Sequence, residues 1–560
     1  MNLRPGTSLS VAILALIVGA LTATPIVMLL LGSFSKGLTA TGAFTLEKYI
    51  KAYSNPALPK IFLNTLIFIL GSAAFASVLA FTLAYLNVRT DMPFKGLFNV
   101  IPIVPMMVPH ILFAVSWMLL LNPSNGIVNL LIRTLFHTRG SLFNIYTLPG
   151  MIFVEGLLDL PIAYLIIAPA MASFDPSLEE ASKISGASGW RTLRRITLPV
   201  LRPALLASFT LVLVRSLAAF AVPSMIGMPG RVYVLSTHIY RLISTGYAAD
   251  YGEAAAVGVV VLLASVSFIF LYRKLTSETE KYVTVSGKGY RPAVIRLGKY
   301  RYPLLGIVGL LLLFLIVLPM LTLVYTSLLP YSMIPSARAF SMMSFDNWRT
   351  VLNDPISIRA LKNSVFLGTV GATIGVLLSV LIAYVVVRVR TLTSAVLETS
   401  VFLSFSFPGI VIGVGFMWFF VRTPLYATLA ALLIGYIATY LPYGVRPLTS
   451  AFIQIHKDLE ESSRVCGAGF LYTLRRIIVP LLVPGFVSAW ILMATMFLRE
   501  LSLSVVLSRP GTEVLAVRIL NFADDSLWGQ VSALGILMIL ISSTLVLMAN
   551  VIGRWASRNR

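Results

Sequence analysis

The chain has 560 residues, of which 58% are hydrophobic and 11% are charged, and its mean hydropathy is +0.90. This composition excludes a water-soluble globular protein, because too few polar side chains are present to cover a folded surface. A net charge of +22 would suggest nucleic-acid binding in a soluble protein. Here the basic residues lie in short breaks between apolar stretches, as in cytoplasmic membrane loops, so we predict no nucleic-acid partner.

The apolar stretches predict about 12 transmembrane helices, because one span needs about 20 largely apolar residues. Six precede residue 273, at Leu3–Phe34, Ile61–Val88, Gly96–Ile132, Leu160–Phe174, 203–228 and 254–272. Six follow residue 301, at 303–329, 363–387, 399–421, 424–445, 480–505 and 530–553. The first run is predicted to be a retained span rather than a signal peptide, since no small-residue cleavage site ends it cleanly. The predicted fold class is all-α and integral to the lipid bilayer.

A basic segment, 273–301, separates the two sets of spans and contains eight Lys or Arg and two Glu. We predict that it is a cytoplasmic linker between a first repeat, 1–272, and a second repeat, 302–560. An even number of spans in each half gives both halves the same orientation, so two parallel six-helix repeats are predicted. With both termini in the cytoplasm, the predicted inner segments hold 25 of the 43 Lys and Arg residues, in agreement with the positive-inside rule.

Alignment of the chain with itself at two different offsets reveals an internal repeat. At an offset of 299 residues, Arg89 and Pro109 match Arg388 and Pro408. At an offset of 281, residues 178–203 match 459–484, with 14 of 26 positions identical. Chance would give about two or three identities in sequences of this composition. Because much of the identity is polar or involves glycine and proline, we interpret it as a duplication rather than as shared hydrophobicity.

The strongest repeat lies after the fourth span of each half, in segments 175–199 (loop 1) and 456–480 (loop 2). In loop 1, Asp175-Pro176 is typical of a helix start, two Glu residues follow in the first turns, and Gly186 suits the helix end. A second helical stretch is predicted to stop at Leu198-Pro199, where the next span begins. The spacing therefore indicates a helix–Gly–helix docking element, and the alternative is an amphipathic helix that only anchors to lipid headgroups.

Both loops resemble the EAA loop of binding-protein-dependent ABC importer permeases. The first copy consists of Glu180-Ala-Ser, Gly186 and Ile196-Thr-Leu-Pro199. The second copy has the same spacing and consists of Glu461-Ser-Ser, Gly467 and Ile477-Ile-Val-Pro480. The departures from the motif exchange one small residue for another, or Leu for Val, and leave the docking interpretation intact.

In that family the loop forms a coupling helix that sits in a groove of the ATPase subunit. The resemblance therefore implies two copies of an ABC ATPase subunit and a periplasmic solute-binding protein as partners, in the bacterial inner membrane. ATP-driven closure of the two ATPases would move two such loops and give alternating access. The residues to which the resemblance assigns ATPase coupling are Glu180, Gly186, Arg194, Arg195, Glu461, Gly467, Arg475 and Arg476.

The sequence contains no nucleotide-binding loop of the form G-x-x-x-x-G-K-[ST]. We therefore predict a transport subunit that is not an enzyme, with ATP hydrolysis carried out by the partner. One cysteine and four scattered histidines give no pattern of metal ligands, so no metal site and no cofactor are predicted.

Charged residues within spans point to the translocation path. We predict that Arg215 in the first half and Arg499-Glu500 in the second occupy equivalent places and line the central cavity or gate, with Glu500 extending toward Arg215. The alternative is that the arginines extend to the outer headgroups. Glu155 and Asp159 interrupt the fourth span without counterparts in the second half, and the sequence assigns them either to its outer end or to the path.

Two other classes compete with an ABC permease. A secondary transporter with twelve spans in parallel halves fits the span number and symmetry, but it does not account for the duplicated loop. A membrane enzyme would need a catalytic constellation, which the sequence lacks. Within the ABC class, R-S…F-A-V-P after loop 1 and R-E-L-S-L-S after loop 2 resemble ferric-iron import permeases. Thiamine, polyamine, phosphonate and sugar-phosphate permeases are the alternatives.

Overall fold

The structure is a computed structural model that describes residues 5–36, 44–137, 140–173, 175, 177–244, 249–277, 295–389, 391–404 and 407–558. Most of the predicted linker, at 278–294, and Pro176 lie outside these residues. Within them the regular elements are helices, and one isolated parallel bridge joins Thr90 to Ile295. The predicted all-α class is therefore confirmed.

The first half of the sequence forms twelve α-helices in the described residues. They are α1 Pro5–Ser33, α2 Glu47–Tyr53, α3 Leu58–Arg89, α4 Lys95–Val100, α5 His110–Leu121, α6 Ile127–Phe136, α7 Leu148–Ser173, α8 Ser177–Ile184, α9 Gly189–Thr192, α10 Leu198–Ala218, α11 Leu235–Ser244 and α12 Tyr251–Ser277. The longest helices are mostly apolar and suit the bilayer, while short helices such as α2 and α8 join them.

The second half forms fifteen α-helices in the residues described. They are α13 Arg301–Leu312, α14 Leu318–Ser327, α15 Ala337–Ser341, α16 Asp346–Asn353, α17 Pro355–Phe366, α18 Ala372–Arg388, α19 Leu392–Ser404, α20 Gly409–Phe420, α21 Leu429–Gln454, α22 Asp458–Val465, α23 Phe470–Thr473, α24 Val479–Leu498, α25 Ser504–Leu507, α26 Leu515–Asp524 and α27 Trp528–Arg558. Short π-helical turns join α13 to α14, α17 to α18 and α23 to α24, so each pair forms one continuous rod.

Ten helices in the described residues are long and apolar enough to cross a membrane, five in each half. The third span of each half is interrupted, so the predicted window Gly96–Ile132 is not one helix. It breaks before α5 at Pro109, and the matching window breaks before α20 at Pro408. Proline has no N–H to donate into a preceding turn and cannot continue that helix. The structure therefore supports ten candidate spans, and the predicted number of about 12 stays a prediction for the two interrupted windows.

Both breaks are buried in protein. Val108 and Phe407, which precede the two prolines, are each 6% exposed. Irregular backbone at membrane depth is tolerated only where protein covers it or where it lines a cavity, because lipid offers no hydrogen-bond partners. The interrupted third span is thus a repeated feature with the same proline geometry in both halves.

The residues form two compact units, and each unit combines segments from both halves of the sequence. One unit comprises residues 1–54, 239–259 and 346–560, and within it α1 packs along α19 and α20. This contact is close, because a side chain at Gly415 would collide with the carbonyl oxygen of Pro25. The other unit comprises residues 55–238 and 260–345, and within it α14 packs against α5. Each half's first span therefore packs on the interrupted third span of the other half.

An ion-pair cluster ties the segment after α1 to the start of α12. Asp250 accepts hydrogen bonds from the Nζ of Lys48 at 3.0 Å and of Lys51 at 2.7 Å, and Lys51 also lies 2.9 Å from Glu253. Burial alone would raise the pKa of Asp250, but the hydrogen bonds from Lys51, the Glu253 backbone and Lys48 lower the pKa to about 2. The carboxylate is therefore ionised at neutral pH and fixes this connection.

Candidate functional site

Loop 1 folds as the sequence predicts at its start and at its turn. The carboxylate of Asp175 accepts a hydrogen bond from the Ser177 N–H at 2.9 Å, at the beginning of α8. The helix ends at a turn in which Gly186 has φ +78°, and Gly467 has φ +80° at the matching place in loop 2. Residues with a Cβ rarely adopt this left-handed conformation. The predicted turns at both glycines are therefore confirmed.

The end of each loop differs from the prediction. The second helical stretch does not stop at Leu198-Pro199, because α9, a π-helical turn at Leu193–Thr197 and α10 form one continuous helix, Gly189–Ala218. Pro199 is accommodated in the first turn of α10, next to the wider π turn. Loop 2 repeats this with a π turn at Leu474–Ile478. The second arm of each loop is thus the extension of the following span.

A pair of hydroxyls joins the two arms of each loop. The Ser182 and Thr192 hydroxyls are 2.9 Å apart in loop 1, and those of Ser463 and Thr473 are 2.8 Å apart in loop 2. Both serines occupy the position of the second alanine in the EAA pattern. The departure from the motif therefore has a structural reason, because it replaces a methyl group with a hydrogen bond between the arms.

The side chains to which the resemblance assigns ATPase coupling are exposed. Glu180 and Glu461 are exposed, as are the four arginines Arg194, Arg195, Arg475 and Arg476. Apolar residues stand beside them, since Ile184 and its counterpart Val465 are each 87% exposed. An exposed apolar group rimmed by charges is typical of a protein-binding surface. Each loop thus presents a similar mixed surface outward.

The glutamate that precedes each of these exposed ones turns inward, which sequence reasoning missed. Glu179 and Glu460 are buried, and each meets an arginine at the end of the second span of its own half, Arg89 and Arg388 respectively. The sequence did contain a sign of these pairs, because the two arginines match in the internal repeat at an offset of 299 and the two glutamates match at an offset of 281. Neither offset alone indicates that the two pairs would meet.

Within the first half, Arg215 is paired with Asp159. Its Nε donates to Asp159 Oδ1 at 2.9 Å, and the Ser216 hydroxyl donates to Oδ2 at 3.1 Å. Asp159 is fully buried and Glu155, one turn earlier on α7, is 7% exposed. Both acids are therefore covered by protein rather than exposed to water, and whether they line the path stays a prediction. Arg215 thus has an acidic partner within its own half, and the predicted approach of Glu500 to Arg215 stays a prediction.

Glu500 also has partners within its own half. It is 5% exposed and accepts hydrogen bonds from the Tyr440 hydroxyl and, at 2.6 Å, from the Leu503 N–H. At the offset of 281, Tyr440 corresponds to Asp159. In each half, therefore, a buried carboxylate lies where the fourth span contacts the end of the fifth. In the first half this carboxylate, Asp159, belongs to the fourth span, and in the second half it is Glu500, which follows the end of the fifth.

Arg215 and Arg499 are not equivalent, contrary to the sequence prediction. Arg215 lies inside α10, three residues before its end at Ala218, whereas Arg499 follows the last residue of α24. Arg499 donates to the sulfur of Met496 at 3.1 Å. The two arginines therefore differ in position by about one helical turn. In the described residues, no group of three or more His, Cys, Asp or Glu side chains could hold a metal ion.

Comparison with known proteins gives a consistent result over most of the chain. The family described as "Binding-protein-dependent transport system inner membrane component" matches residues 51–281 and 375–559. Both copies of the loop fall within the two matched segments. The family thus occurs twice in one chain, in agreement with the internal repeat.

Several relatives are similar to this chain along much of their length. The chain is 29% identical over 533 residues to the ferric transport system permease protein FbpB of Actinobacillus pleuropneumoniae, covering 93% of this chain and 75% of the relative. It is 30% identical over 469 residues to the putative ferric transport system permease protein FbpB 1 of Haemophilus influenzae, covering 82% and 71%. A shorter match, 27% over 209 residues, is with the spermidine/putrescine transport system permease protein PotC of Haemophilus influenzae, covering 37% of this chain and 81% of the relative.

Proposed function

This chain belongs to the family of binding-protein-dependent transport system inner membrane components, and from that membership we propose that it carries ferric iron across the inner membrane. It is the permease of a binding-protein-dependent ABC importer. The iron assignment is supported by the two relatives named as ferric permeases, which align with most of this chain. The polyamine relative aligns with little more than a third of it, so polyamine is the second candidate.

We further propose that one chain binds two ATPase subunits, one at each loop. The observation that carries this proposal is that loops 1 and 2 share the same turn, the same hydroxyl pair and the same exposed glutamate. Two similar docking surfaces on one chain would match two copies of one ATPase subunit. Nucleotide-driven dimerisation of those subunits would then move both loops together.

The orientation follows from the position of the loops. ATP is cytoplasmic, so loops 1 and 2 face the cytoplasm in this proposal, and the even number of spans per half places both chain ends on the same side. The domain limits proposed from the sequence, 1–272 and 302–560 with the linker between them, assign one loop to each repeat. The interrupted third spans and the buried carboxylates Asp159 and Glu500 are our candidates for the translocation path.

The test is reconstitution of the complete importer in lipid vesicles with its own ATPase subunit and binding protein. We expect ATP-dependent accumulation of radioactive ferric iron, two ATPase subunits per permease by mass measurement, and no hydrolysis by the permease alone. Accumulation of labelled spermidine without iron would replace the substrate proposal by the polyamine alternative. A complex with a single ATPase subunit would contradict the proposal of two docking loops.

A further inference from the structure

Each loop is attached to the end of the second span by a buried ion pair. In the first half the guanidinium Nε of Arg89 lies 4.0 Å from Glu179 Oε2, and the two side chains are 0% and 5% exposed. In the second half Arg388 Nε donates to Glu460 Oε1 at 2.7 Å, with exposures of 9% and 8%. The same contact thus occurs twice, between residues that match at two different offsets.

The loop glutamates are held by further hydrogen bonds. The Thr197 hydroxyl donates to Glu179 Oε1 at 2.7 Å, which joins α8 to the arm that continues into α10. Arg388 also donates, through Nη2, to the carbonyl oxygen of Ile455 at 2.8 Å, just before α22. Both arginines end their helices, where the helix dipole favours a positive charge. The second span, the loop and its flanking backbone therefore meet at one buried point in each half.

A buried ion pair contributes little net stability, but separating its partners leaves an unpaired charge away from water, which is strongly unfavourable. A loop held in this way cannot be displaced while the end of the second span stays behind. We propose that Arg89 and Arg388 are positioning residues that make the loop and the second span move together when the ATPase subunits close. This inference rests on the proposed function and adds to it the route by which the motion enters the spans.

The two successive glutamates of each loop have different functions in this proposal. Adjacent residues on a helix point about 100° apart, so the exposed Glu180 and Glu461 face outward while Glu179 and Glu460 face the span. The exposed glutamate contacts the ATPase subunit, and the buried glutamate pairs with the arginine at the end of the second span. A change at the inner position should therefore spare ATPase binding but reduce the transmission of its motion.

The two attachments differ in strength. The contact at Arg388 is direct and has a second hydrogen bond, whereas Glu179 is 4.0 Å from Arg89 and is shared with Thr197. Hydrogen bonds between charged groups weaken steeply with distance. We expect Arg388→Gln to reduce import per ATP hydrolysed about tenfold and Arg89→Gln to reduce it several-fold less.

The experiment uses the complete importer in vesicles, with Arg388→Gln, Glu460→Gln and the charge exchange Arg388→Glu with Glu460→Arg. The readouts are retention of the ATPase subunit, ATP hydrolysis with and without the binding protein, and iron imported per ATP. Arg349→Gln is the matched control, because it breaks an exposed pair with Asp346 in the same half. Stimulation of hydrolysis by the binding protein needs no knowledge of the solute, so a wrong substrate does not affect this readout.

The proposal predicts that both single variants keep the ATPase subunit but lose the stimulation, and that the charge exchange restores part of it. A purely structural role would lower the melting temperature of the complex and leave stimulation per assembled complex unchanged, and that result would overturn the proposal. If the wild-type complex neither retains an ATPase subunit nor shows stimulation, the proposed function fails instead.

A second measurement does not depend on the stability of the neutral variants. Arg388→Cys and Glu460→Cys, in a Cys466→Ser background, are joined in the assembled importer by a short bis-thiosulfonate cross-linker, which forms disulfides that a reductant can cleave. A covalent bridge replaces the ion pair, so we expect the bridged complex to keep its stimulation and import. Loss of both on bridging, with recovery on reduction, would mean that the loop moves relative to the second span, and it would overturn the proposal.

Discussion

At the residue scale, each of the buried carboxylates Asp159 and Glu500 has hydrogen-bond donors within its own half. Asp159 is fully buried and accepts from both Arg215 and Ser216, so its negative charge is neutralised by one neighbour and solvated by another. In the other half the Tyr440 hydroxyl and the Leu503 N–H donate hydrogen bonds to Glu500. A charged side chain in the bilayer is costly unless it is paired in this way.

We expect Asp159→Asn to lower the free energy of unfolding by about 3 kcal/mol, because it removes the buried carboxylate that pairs with Arg215. Ser216→Ala, which removes one donor to the same carboxylate, should cost only about 1 kcal/mol. Thermal melting of the detergent-purified chain measures both. A double variant, Asp159→Asn with Arg215→Gln, should be more stable than the sum of the single effects, and additivity would contradict the pairing.

The exposed glutamates of the loops allow a test of docking. Glu180→Arg and Glu461→Arg reverse a charge in the first turns of α8 and α22, where the helix dipole favours an acid. We expect weaker retention of the ATPase subunit with normal membrane insertion, measured by co-purification and by the amount of chain in the membrane. Because Gly189-Trp190 in loop 1 corresponds to Phe470-Leu471 in loop 2, the two variants should be unequal in severity.

Asp346→Arg is the matched control for these two variants. Asp346 is also an exposed acid in the first turn of a short helix, α16, but it lies outside both loops. It should leave ATPase retention at the wild-type level. Full retention and coupled import in both loop variants would favour the alternative in which the loops only anchor to lipid.

At the element scale, each loop is built from two arms whose relation depends on one glycine. Gly467 has φ +80° between α22 and α23, and a hydrogen bond between the hydroxyls of Ser463 and Thr473 joins these two helices. The second arm then continues through a π turn into the following span. The loop proposed to bind the ATPase subunit is therefore continuous with a helix that is long and apolar enough to cross a membrane.

Gly467→Ala should destabilise this turn by about 1 kcal/mol, because alanine in the left-handed region brings its Cβ too close to the backbone. Gly469→Ala is the control, since Gly469 does not have a positive φ and a Cβ there would meet open space. Amide hydrogen exchange of residues 458–473 measures the difference. Equal exchange in the two variants would contradict the requirement for a left-handed residue.

At the scale of the whole molecule, the two units each contain the first span of one half packed on the third span of the other. An exchange of this kind makes the fold of one half depend on the other. It gives a physical reason for carrying both repeats on one chain, because the linker keeps the exchanged segments at high effective concentration.

The only cysteine of the sequence is exposed at the end of α22, within loop 2, and reports on assembly without any mutation. If the ATPase subunit covers this loop, a maleimide should label Cys466 at least about tenfold more slowly in the complex than in the free permease. Labelling in the presence and absence of the ATPase subunit measures this. Labelling at the same rate in both states would place the docking surface elsewhere.

The sequence by itself determined the class, the duplication and the position of the loops. Span number depends on hydropathy along the chain, and the EAA spacing with Gly186 and Gly467 depends on local backbone requirements, so neither needs a knowledge of packing. The interruption at Pro109 and Pro408 was also visible as a repeated proline. The roles of Arg215, Arg499 and Glu500 in a gate stay predictions.

Only the tertiary structure decided which charges meet. Glu179 and Glu180 are neighbours in the sequence, yet one is buried against Arg89 and the other is exposed, because adjacent helical residues face directions about 100° apart. Likewise, Asp159 meets Arg215 through the packing of α7 against α10, which no periodicity along the chain specifies. The continuation of each loop through Pro199 or Pro480 into the next span depended on a π turn, which has no signature in composition or spacing.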